Sequence, residues 1–170
     1  MDADELRDYI LLHSQYNLVN EGMQSREKYF ALPSQFILDI PKDVEHLHFG
    51  GYGNEEDLTM LDFSSFEFTQ LRSITIGNNC FKSIRKFVLD GLEKLESVKI
   101  GKECFRISWK ERDDGVCRIT NCPNLTQLEI GCESFKDFKQ FEISNVNSLQ
   151  SIQFGKWCFE YIENCILKGE

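Results

Sequence analysis

An eleven-residue pattern recurs along the chain and constrains its fold more than any other feature. It reads L-x-x-Φ-x-Φ-G-x-x-(C/S)-F, where Φ is apolar, and it occupies residues 71–81, 95–105, 125–135 and 149–159. Self-similar segments at a fixed period of about 20 to 50 residues are typical of proteins built from stacked repeats. The sequence therefore predicts a solenoid, in which each repeat packs on its neighbours, rather than a domain arranged around one catalytic motif.

The repeat frame covers residues 36–170, with a basic period of 24 residues, and this predicts about five coils. The Φ-x-Φ alternation indicates a strand with one buried face, and stacked strands predict a parallel sheet. A second alternating stretch, such as Phe87-x-Leu89, opens each unit, with Phe63-Ser64-Ser65 as the weak copy. Extra residues in the first and third units predict surface excursions. Each strand is expected to end at a glycine that turns there or lies against the next coil: Gly50, Gly77, Gly101, Gly131 and Gly155.

The first 35 residues do not share this frame and predict a helical N-terminal cap over residues 1–35, ahead of the solenoid over residues 36–170. Apolar residues at helical spacing indicate a helix over residues 3–18. A second helical turn is expected from Ser25, ending before Pro33. The fold class expected from the whole sequence is α/β or mostly β, with the cap shielding the apolar side of the first coil.

The frame resembles the leucine-rich repeat, whose signature is L-x-x-L-x-L-x-x-N-x-L. The I-x-I-G-x-x-C-F variant is similar to the short BspA-like repeats found in protists. The resemblance covers residues 36–167 and implies a non-enzymatic protein that binds a protein partner on the concave face of its sheet. The matching positions in the first clear unit are Leu71, Ile74, Ile76, Asn79 and Phe81, and the asparagine position later holds Glu103, Glu133 and Trp157.

The resemblance implies that the partner is contacted by residues between the buried strand positions and by the insertions. The sheet columns are polar and mixed in charge, so a modest binding surface and a merely solvated face are both open readings. In the excursion after residue 106, a tryptophan beside an arginine is either an anchor for the partner or packed back on the coil. The candidate residues are His46, His48, Arg72, Thr75, Lys99, Gln127, Glu129 and Gln153 in the sheet, with Trp109 and Arg112 in the excursion.

Composition argues against several classes of partner and places the chain in the cytoplasm. The formal net charge is -9 and the sequence pI is about 4.9, so nucleic acid and membrane surfaces are not expected partners. Residues 1–5 show no basic stretch leading into an apolar run, which predicts no signal peptide. Seven cysteines without a signal peptide indicate free thiols in a reducing compartment.

Reactive residue types are present, but their pattern favours packing over chemistry. Cys80, Cys104 and Cys158 occupy one repeat column, where the remaining unit has Ser134, so this column is expected to fill space in the core. The His46-x-His48 pair could bind zinc only with a third ligand, and the adjacent Glu45 is expected to point elsewhere along the pleated strand. The sequence shows no Ser/His/Asp arrangement and no glycine-rich phosphate-binding loop. We therefore expect no enzyme, no metal and no cofactor.

The last repeat unit stops after six residues and leaves three functional alternatives open. An uncapped final coil would leave apolar surface and an open strand edge. The chain is then either a piece of a longer array or a molecule that self-associates through this C-terminal edge. A surface adhesin is the third alternative, because the resemblance extends to repeats found on cell surfaces.

Overall fold

The described chain is a β-solenoid in which strands of successive coils lie side by side in parallel. The computed structural model describes residues 29–32, 42–50, 59–107 and 115–169. A single 3₁₀ turn in these segments, Phe63–Phe66, follows the third strand. The strands are β1 Tyr29–Leu32, β2 His46–Phe49, β3 Met60–Asp62, β4 Ser73–Ile76, β5 Lys86–Asp90, β6 Ser97–Ile100, β7 Val116–Thr120, β8 Gln127–Ile130, β9 Gln140–Ser144, β10 Ser151–Phe154 and β11 Asn164–Lys168.

Two parallel sheets form the two walls of the solenoid. Sheet A has the strand order β1-β2-β4-β6-β8-β10, and sheet B has the order β3-β5-β7-β9-β11. Each coil contributes one strand to each sheet, and the chain winds about four turns between β2 and β10. The prediction of stacked coils with parallel strands is confirmed, whereas the predicted number of five coils is wrong.

The alternating apolar residues produce the sheet A strands as the repeat predicts. In β4 the side chains of Ile74 and Ile76 are buried, while Ser73 and Thr75 lie on the outer side. The same two positions pair in register through successive coils, for instance Ile74 beside Val98. A strand residue therefore lies next to its repeat equivalent, so one inward-facing apolar column runs through the described coils.

The predicted helical N-terminal cap is wrong. Over the described segments there is no α-helix, and Tyr29–Leu32, where a helical turn was expected, forms strand β1. This strand pairs in parallel with β2, with Phe30 beside Leu47. Tyrosine and phenylalanine favour strands, and an open parallel edge at β2 supplies the hydrogen-bond partners that a local helix would otherwise provide. The expected helix over residues 3–18 lies outside the described residues.

The opening of the second unit also differs from the sequence prediction. Leu61, not Phe63, pairs with Phe87, so the strand lies two residues earlier than the weak copy indicated. Phe63 instead begins the 3₁₀ turn, whose N-cap is Asp62, and the Asp62 side chain accepts a hydrogen bond from the backbone N–H of Ser64. An aspartate in this position satisfies a free N–H group of the turn and ends the strand.

Close packing between coils requires glycine at three positions of the column, Gly101, Gly131 and Gly155. A Cβ on Gly131 would lie 2.6 Å from the carbonyl carbon and oxygen of Gly101, and one on Gly101 would lie 2.7 Å from the same atoms of Gly77. A positive φ was the other reason expected for glycine in this column, but it is found at nearby non-glycine residues instead. Those left-handed residues recur in two columns: Asn79, Glu103, Glu133 and Trp157, and Phe81, Phe105, Phe135 and Phe159.

The phenylalanine column forms a continuous aromatic stack inside the solenoid. Ring centroids are 5.5 Å apart between Phe81 and Phe105, and 4.4 Å apart between Phe105 and Phe135. The next pair, Phe135 and Phe159, lies at 5.1 Å with nearly parallel planes. Phe138 meets the Phe135 ring edge-on at 4.9 Å. Offset and edge-to-face contacts of this kind stabilise a core beyond the burial of the rings alone.

The cysteine and serine column links each coil to the one before it. Three of its four side chains donate a hydrogen bond to the carbonyl of the preceding glycine, so serine and cysteine are interchangeable there for a physical reason, whereas Cys80 donates to the carbonyl of Asn78. All seven cysteines lie in the described residues, and all are free. The donations run from Cys104 to Gly77 (2.9 Å), from Ser134 to Gly101 (2.7 Å) and from Cys158 to Gly131 (3.0 Å).

Thiol reactivity should follow burial. Burial raises the pKa of Cys122 to about 11 and raises the pKa of Cys117 further, whereas Cys165 is exposed. Because the thiolate is the reacting form, iodoacetamide should label Cys165 of the native protein first and Cys117 and Cys122 last. Mass spectrometry of timed digests measures this order, with denatured protein as the control in which all sites react alike. Equal rates at Cys117 and Cys165 in the native protein would contradict this structure.

Candidate functional site

Seven of the ten predicted binding residues are strand residues on the outer face of sheet A. This face is formed by the first and third side chains of each strand, and the strands pair so that equivalent residues form rows. Arg72 immediately precedes β4 at the border of the face. Trp109 and Arg112 lie outside the described residues. One row contains His46, Ser73, Ser97, Gln127 and Ser151, and the other contains His48, Thr75, Lys99, Glu129 and Gln153.

Ion pairs between coils occupy the charged side chains of this face. Lys99 Nζ lies 3.1 Å from a Glu129 carboxylate oxygen in the next coil. Arg72 lies between two carboxylates, 3.6 Å from Glu45 and 2.5 Å from Glu96. Such exposed pairs contribute little stability, about 0 to 1 kcal/mol each. They nevertheless direct the charges along the sheet, so fewer of them point outward towards a partner.

Acid–base pairs between stacked coils also occur elsewhere on the solenoid. Equivalent residues of neighbouring coils lie about 4.8 Å apart across a parallel pair, so like charges there would repel. At several equivalent positions an acid lies beside a base, whereas Glu103 and Glu133 are equivalent and both acidic, and Arg106 lies between them. The acid–base examples are Arg118 with Glu142, Lys136 with Glu160, and Lys139 with Glu163.

The two histidines of the face have different surroundings. His46 Nδ1 lies 2.7 Å from the Ser73 hydroxyl oxygen. Burial lowers the pKa of His48, so its neutral form is favoured. Among the described residues no three His, Cys, Asp or Glu side chains converge in a way that would hold a metal ion. The geometry of this face offers hydrogen-bonding groups for a protein surface.

The outer side of the last coil exposes apolar side chains, and we call it the C-terminal end face. It consists of the exposed residues Ile152, Phe154, Trp157, Tyr161, Cys165, Ile166 and Leu167. Ile152 is 44% exposed, although its repeat equivalent Leu128 is only 1% exposed. The difference arises because Leu128 is covered by β10, whereas among the described strands none lies beyond β10 or β11.

The same end face continues the hydrogen-bonding pattern that joins the coils. Gly155 donates its N–H to the carbonyl of Ile130, as Gly131 does to Ile100. The carbonyl of Gly155 is the next acceptor in the series in which Gly131 accepts from Cys158. The end face therefore combines exposed apolar side chains with the backbone edge of two strands, which is a template for pairing with another chain.

The sequence analysis predicted an uncapped edge but did not single out the residues of the end face. Ile152 and Phe154 occupy columns that are buried in every other described coil, and only their place in the last coil exposes them. Trp157 could have been noticed in the sequence, because earlier coils have polar residues at this turn position, namely Asn79, Glu103 and Glu133. Trp157 is 59% exposed, and a large aromatic residue at an exposed turn is a candidate contact for a partner.

A small cavity of about 280 Å³ lies at one corner of the solenoid, on another part of the surface. Apolar and polar residues line it together: Phe68, Thr69, Leu71, Gly91, Leu92, Glu93 and Lys94. Lys94 donates a hydrogen bond to Gln70.

The fold and its recurring contacts define a repeat protein, a two-sheet parallel β-solenoid with coils of about 24 residues. Comparison of the chain with protein-family models, with characterised proteins and with solved structures found no match. Within the described segments, no helix has the length and apolar character needed to cross a membrane.

Proposed function

We propose that this chain is a non-enzymatic protein-interaction module whose principal docking surface is the C-terminal end face. The observation that carries the proposal is the exposure of Phe154, Trp157, Tyr161 and Leu167 on a single coil. Clustered exposed apolar side chains mark interaction sites, and binding energy concentrates on aromatic residues such as tryptophan and tyrosine. A stacked solenoid presents these side chains on a rigid support, which reduces the ordering cost of association.

Membership of the leucine-rich repeat class is part of this proposal. The recurring L-x-x-Φ-x-Φ-G frame supports it, as does the parallel stacking of the Φ-x-Φ strands. The two short strands per coil support the BspA-like form of the repeat. A reducing location such as the cytoplasm is supported by the seven free cysteines, of which Cys117 and Cys122 are fully buried.

The outer face of sheet A is the second surface of the proposed module. Its hydroxyl, amide and imidazole groups suit hydrogen bonding to a protein partner, while its charged residues already pair within the sheet. Electrostatic complementarity of such a face influences specificity and association rate more than affinity. We therefore assign most of the binding energy to the end face.

Substitution at the end face should abolish capture of a protein partner. The test variant is Trp157→Ala/Leu167→Ser, which removes two side chains that are 59% and 66% exposed. Loss of a tryptophan hot spot weakens binding by about 2 kcal/mol or more, roughly thirtyfold. Affinity capture from a lysate by the tagged chain, followed by quantitative mass spectrometry, measures the effect.

The matched control for this capture experiment is Lys99→Ser/Glu129→Ser, which removes an ion pair on sheet A without changing the net charge. The proposal expects the control to retain the captured protein and the end-face variant to lose it. The opposite result would place binding on sheet A. Identical capture by all three proteins, or no specific capture by any, would refute the proposed function.

A further inference from the structure

Two neighbouring coils each place a cysteine at the same point of the solenoid core, Cys80 and Cys104. We propose that these two residues form a reversible disulfide between their coils when the protein meets hydrogen peroxide. The pair is therefore a modification site whose co-reactant is a peroxide. This inference goes beyond the proposed function, because the site lies inside the solenoid and takes no part in docking.

The backbones of the two coils run side by side at this pair. Phe105 N–H donates to the carbonyl of Cys80 at 3.1 Å, and Asn79 N–H donates to the carbonyl of Lys102 at 2.8 Å. Strands β4 and β6 pair in register just before the pair, and the rings of Phe81 and Phe105 stack just after it. Equivalent residues of such coils lie about 4.8 Å apart, within the range of about 4.4 to 6.8 Å that a disulfide spans between its Cα atoms.

The two sulfur atoms lie beside the same stretch of backbone. Cys104 Sγ is 2.9 Å from the carbonyl oxygen of Gly77, and Cys80 Sγ is 3.5 Å from the carbonyl oxygen of Asn78, the next residue. A Cβ on Gly77 would lie 3.9 Å from Cys80 Sγ, so both sulfurs adjoin this glycine. The two thiols also share a hydrogen bond. A small rotation of the side chains therefore brings the sulfurs within bonding distance of each other.

Cys104 is the member of the pair that is suited to react first. The hydrogen bond from Cys80 lowers the pKa of Cys104, although burial acts in the opposite direction. Burial instead raises the pKa of Cys122 to about 11 and raises that of Cys117 further. Because the thiolate is the form that a peroxide oxidises, Cys104 should react before these other two buried thiols.

The reaction needs only the two thiols and the peroxide. The thiolate sulfur of Cys104 attacks a peroxide oxygen and the O–O bond breaks, so that hydroxide leaves and takes up the proton that the thiol had released. The sulfur of Cys80 then attacks the sulfenic sulfur of Cys104. An S–S bond forms, the S–O bond breaks, and the hydroxide leaves as water with the proton of the Cys80 thiol. The two thiols lose two electrons, and one hydrogen peroxide is reduced to two waters.

The cysteine column offers Cys104 a single partner. The next coil has Ser134, whose hydroxyl accepts a hydrogen bond from Cys104 N–H at 3.0 Å and donates one to the carbonyl of Gly101. This serine separates Cys104 from Cys158, so within the column the sulfenic acid can be resolved only by Cys80. Both residues of the pair are fully buried, and a small oxidant reaches them through local opening of the coil, which excludes larger thiols.

The disulfide would tie two coils together from inside the core. Cys80 and Cys104 are 24 residues apart, so the bond closes a loop of one repeat and stabilises the folded chain by restricting the unfolded one. In a reducing compartment the two thiols are the resting state, and disulfides that do form there are usually transient and redox-sensing. The oxidised chain is therefore the more stable of two interconvertible forms.

Peroxide treatment of the full chain followed by disulfide mapping tests the inference. The chain carries Cys132→Ser/Cys158→Ser/Cys165→Ser, which removes the three thiols that are not buried. After acid quenching and digestion, mass spectrometry should find peptides linked through Cys80 and Cys104, and dithiothreitol should release them. No linked peptide, or a link that joins Cys104 to another cysteine, would overturn the inference.

Urea unfolding of the same chain before and after oxidation measures the effect of the bond. Oxidation should lower the equilibrium constant of unfolding about a hundredfold, and Cys104→Ser should abolish this difference. Serine fits this column, as Ser134 shows. Cys122→Ser is the matched control, because it removes another buried thiol and leaves the pair intact. Equal responses of the two variants to peroxide would contradict a bond at residues 80 and 104.

Moving the pair by one coil tests whether coil stacking is what positions it. In the Cys80→Ser/Ser134→Cys variant the two thiols of the column belong to residues 104 and 134, whose coils already share the hydrogen bond from Cys104 N–H to the side chain at residue 134. The same peroxide treatment should link these two residues. A folded variant in which they stay unlinked would overturn stacking as the basis of the site.

Discussion

Gly131→Ala should lower the free energy of unfolding by about 3 kcal/mol, because the added methyl group has no space between two coils. Its carbon would lie 2.6 Å from the carbonyl carbon and oxygen of Gly101 and 2.8 Å from the backbone nitrogen of Lys102. These are backbone atoms, so no side chain can rotate away. The hydrogen bond from Gly131 N–H to the Ile100 carbonyl, at 2.8 Å, resists separation of the coils.

Urea unfolding followed by circular dichroism measures this effect, and Gly91→Asn is the control. Gly91 has a φ of +69° and open space around its missing Cβ, and sister coils hold Asn121 and Asn145 in the same left-handed conformation. Asparagine tolerates this conformation, so we expect a change within about 0.5 kcal/mol. If Gly131→Ala is no less stable than Gly91→Asn, close coil packing is not the reason for the glycine column.

Phe135→Ala should cost about 3 to 5 kcal/mol, the largest effect expected for a single side chain of this core. The ring is fully buried and lies between Phe105 at 4.4 Å and Phe159 at 5.1 Å, with Phe138 edge-on at 4.9 Å. Its removal leaves a cavity in the middle of the stack, and the neighbouring rings are held by their own coils. The effect combines lost burial, lost aromatic contacts and the cavity.

Two variants separate these contributions in the same unfolding experiment. Phe135→Leu keeps most of the apolar volume but removes the ring, so it should lower the free energy of unfolding by less than Phe135→Ala does. Trp157→Ala removes a larger aromatic side chain that is 59% exposed and shares a positive φ, and it should change stability by less than about 1 kcal/mol. Equal losses for Phe135→Ala and Trp157→Ala would contradict the internal position of the stack.

The solenoid could be predicted because each coil repeats the same local signal. Ile74 and Ile76 alone are compatible with several structures, but their equivalents at a fixed spacing indicate strands that stack. Segments that occur once lack this support. Tyr29–Leu32 was assigned to a helical turn because its short apolar run is ambiguous, and pairing with β2 then decides in favour of a strand. The displaced start of the second unit at Leu61 has the same cause.

The candidate residues of sheet A lie on one face, and their binding of a partner stays a prediction. Alternation placed His48, Thr75, Lys99 and Glu129 on one face correctly, since strand geometry fixes which side a residue occupies. The ion pair between Lys99 and Glu129 depends on the register between coils and on rotamers, which no sequence pattern gives. The sequence did not predict that the end-face residues are exposed. Their repeat columns are buried in the other described coils, and such a column predicts burial only where another coil covers it.

The acid–base pairs found at some equivalent positions limit how regular such a protein can become. An idealised array in which each coil carried the residues of the 97–100 strand would stack lysines at every level, about 4.8 Å apart along the whole wall. Averaging the repeats into a consensus would retain the glycine and phenylalanine columns but erase the Lys99–Glu129 and Lys139–Glu163 pairs. A designer extending this solenoid should therefore work with a two-coil unit, in which opposite charges alternate, rather than with a single repeat.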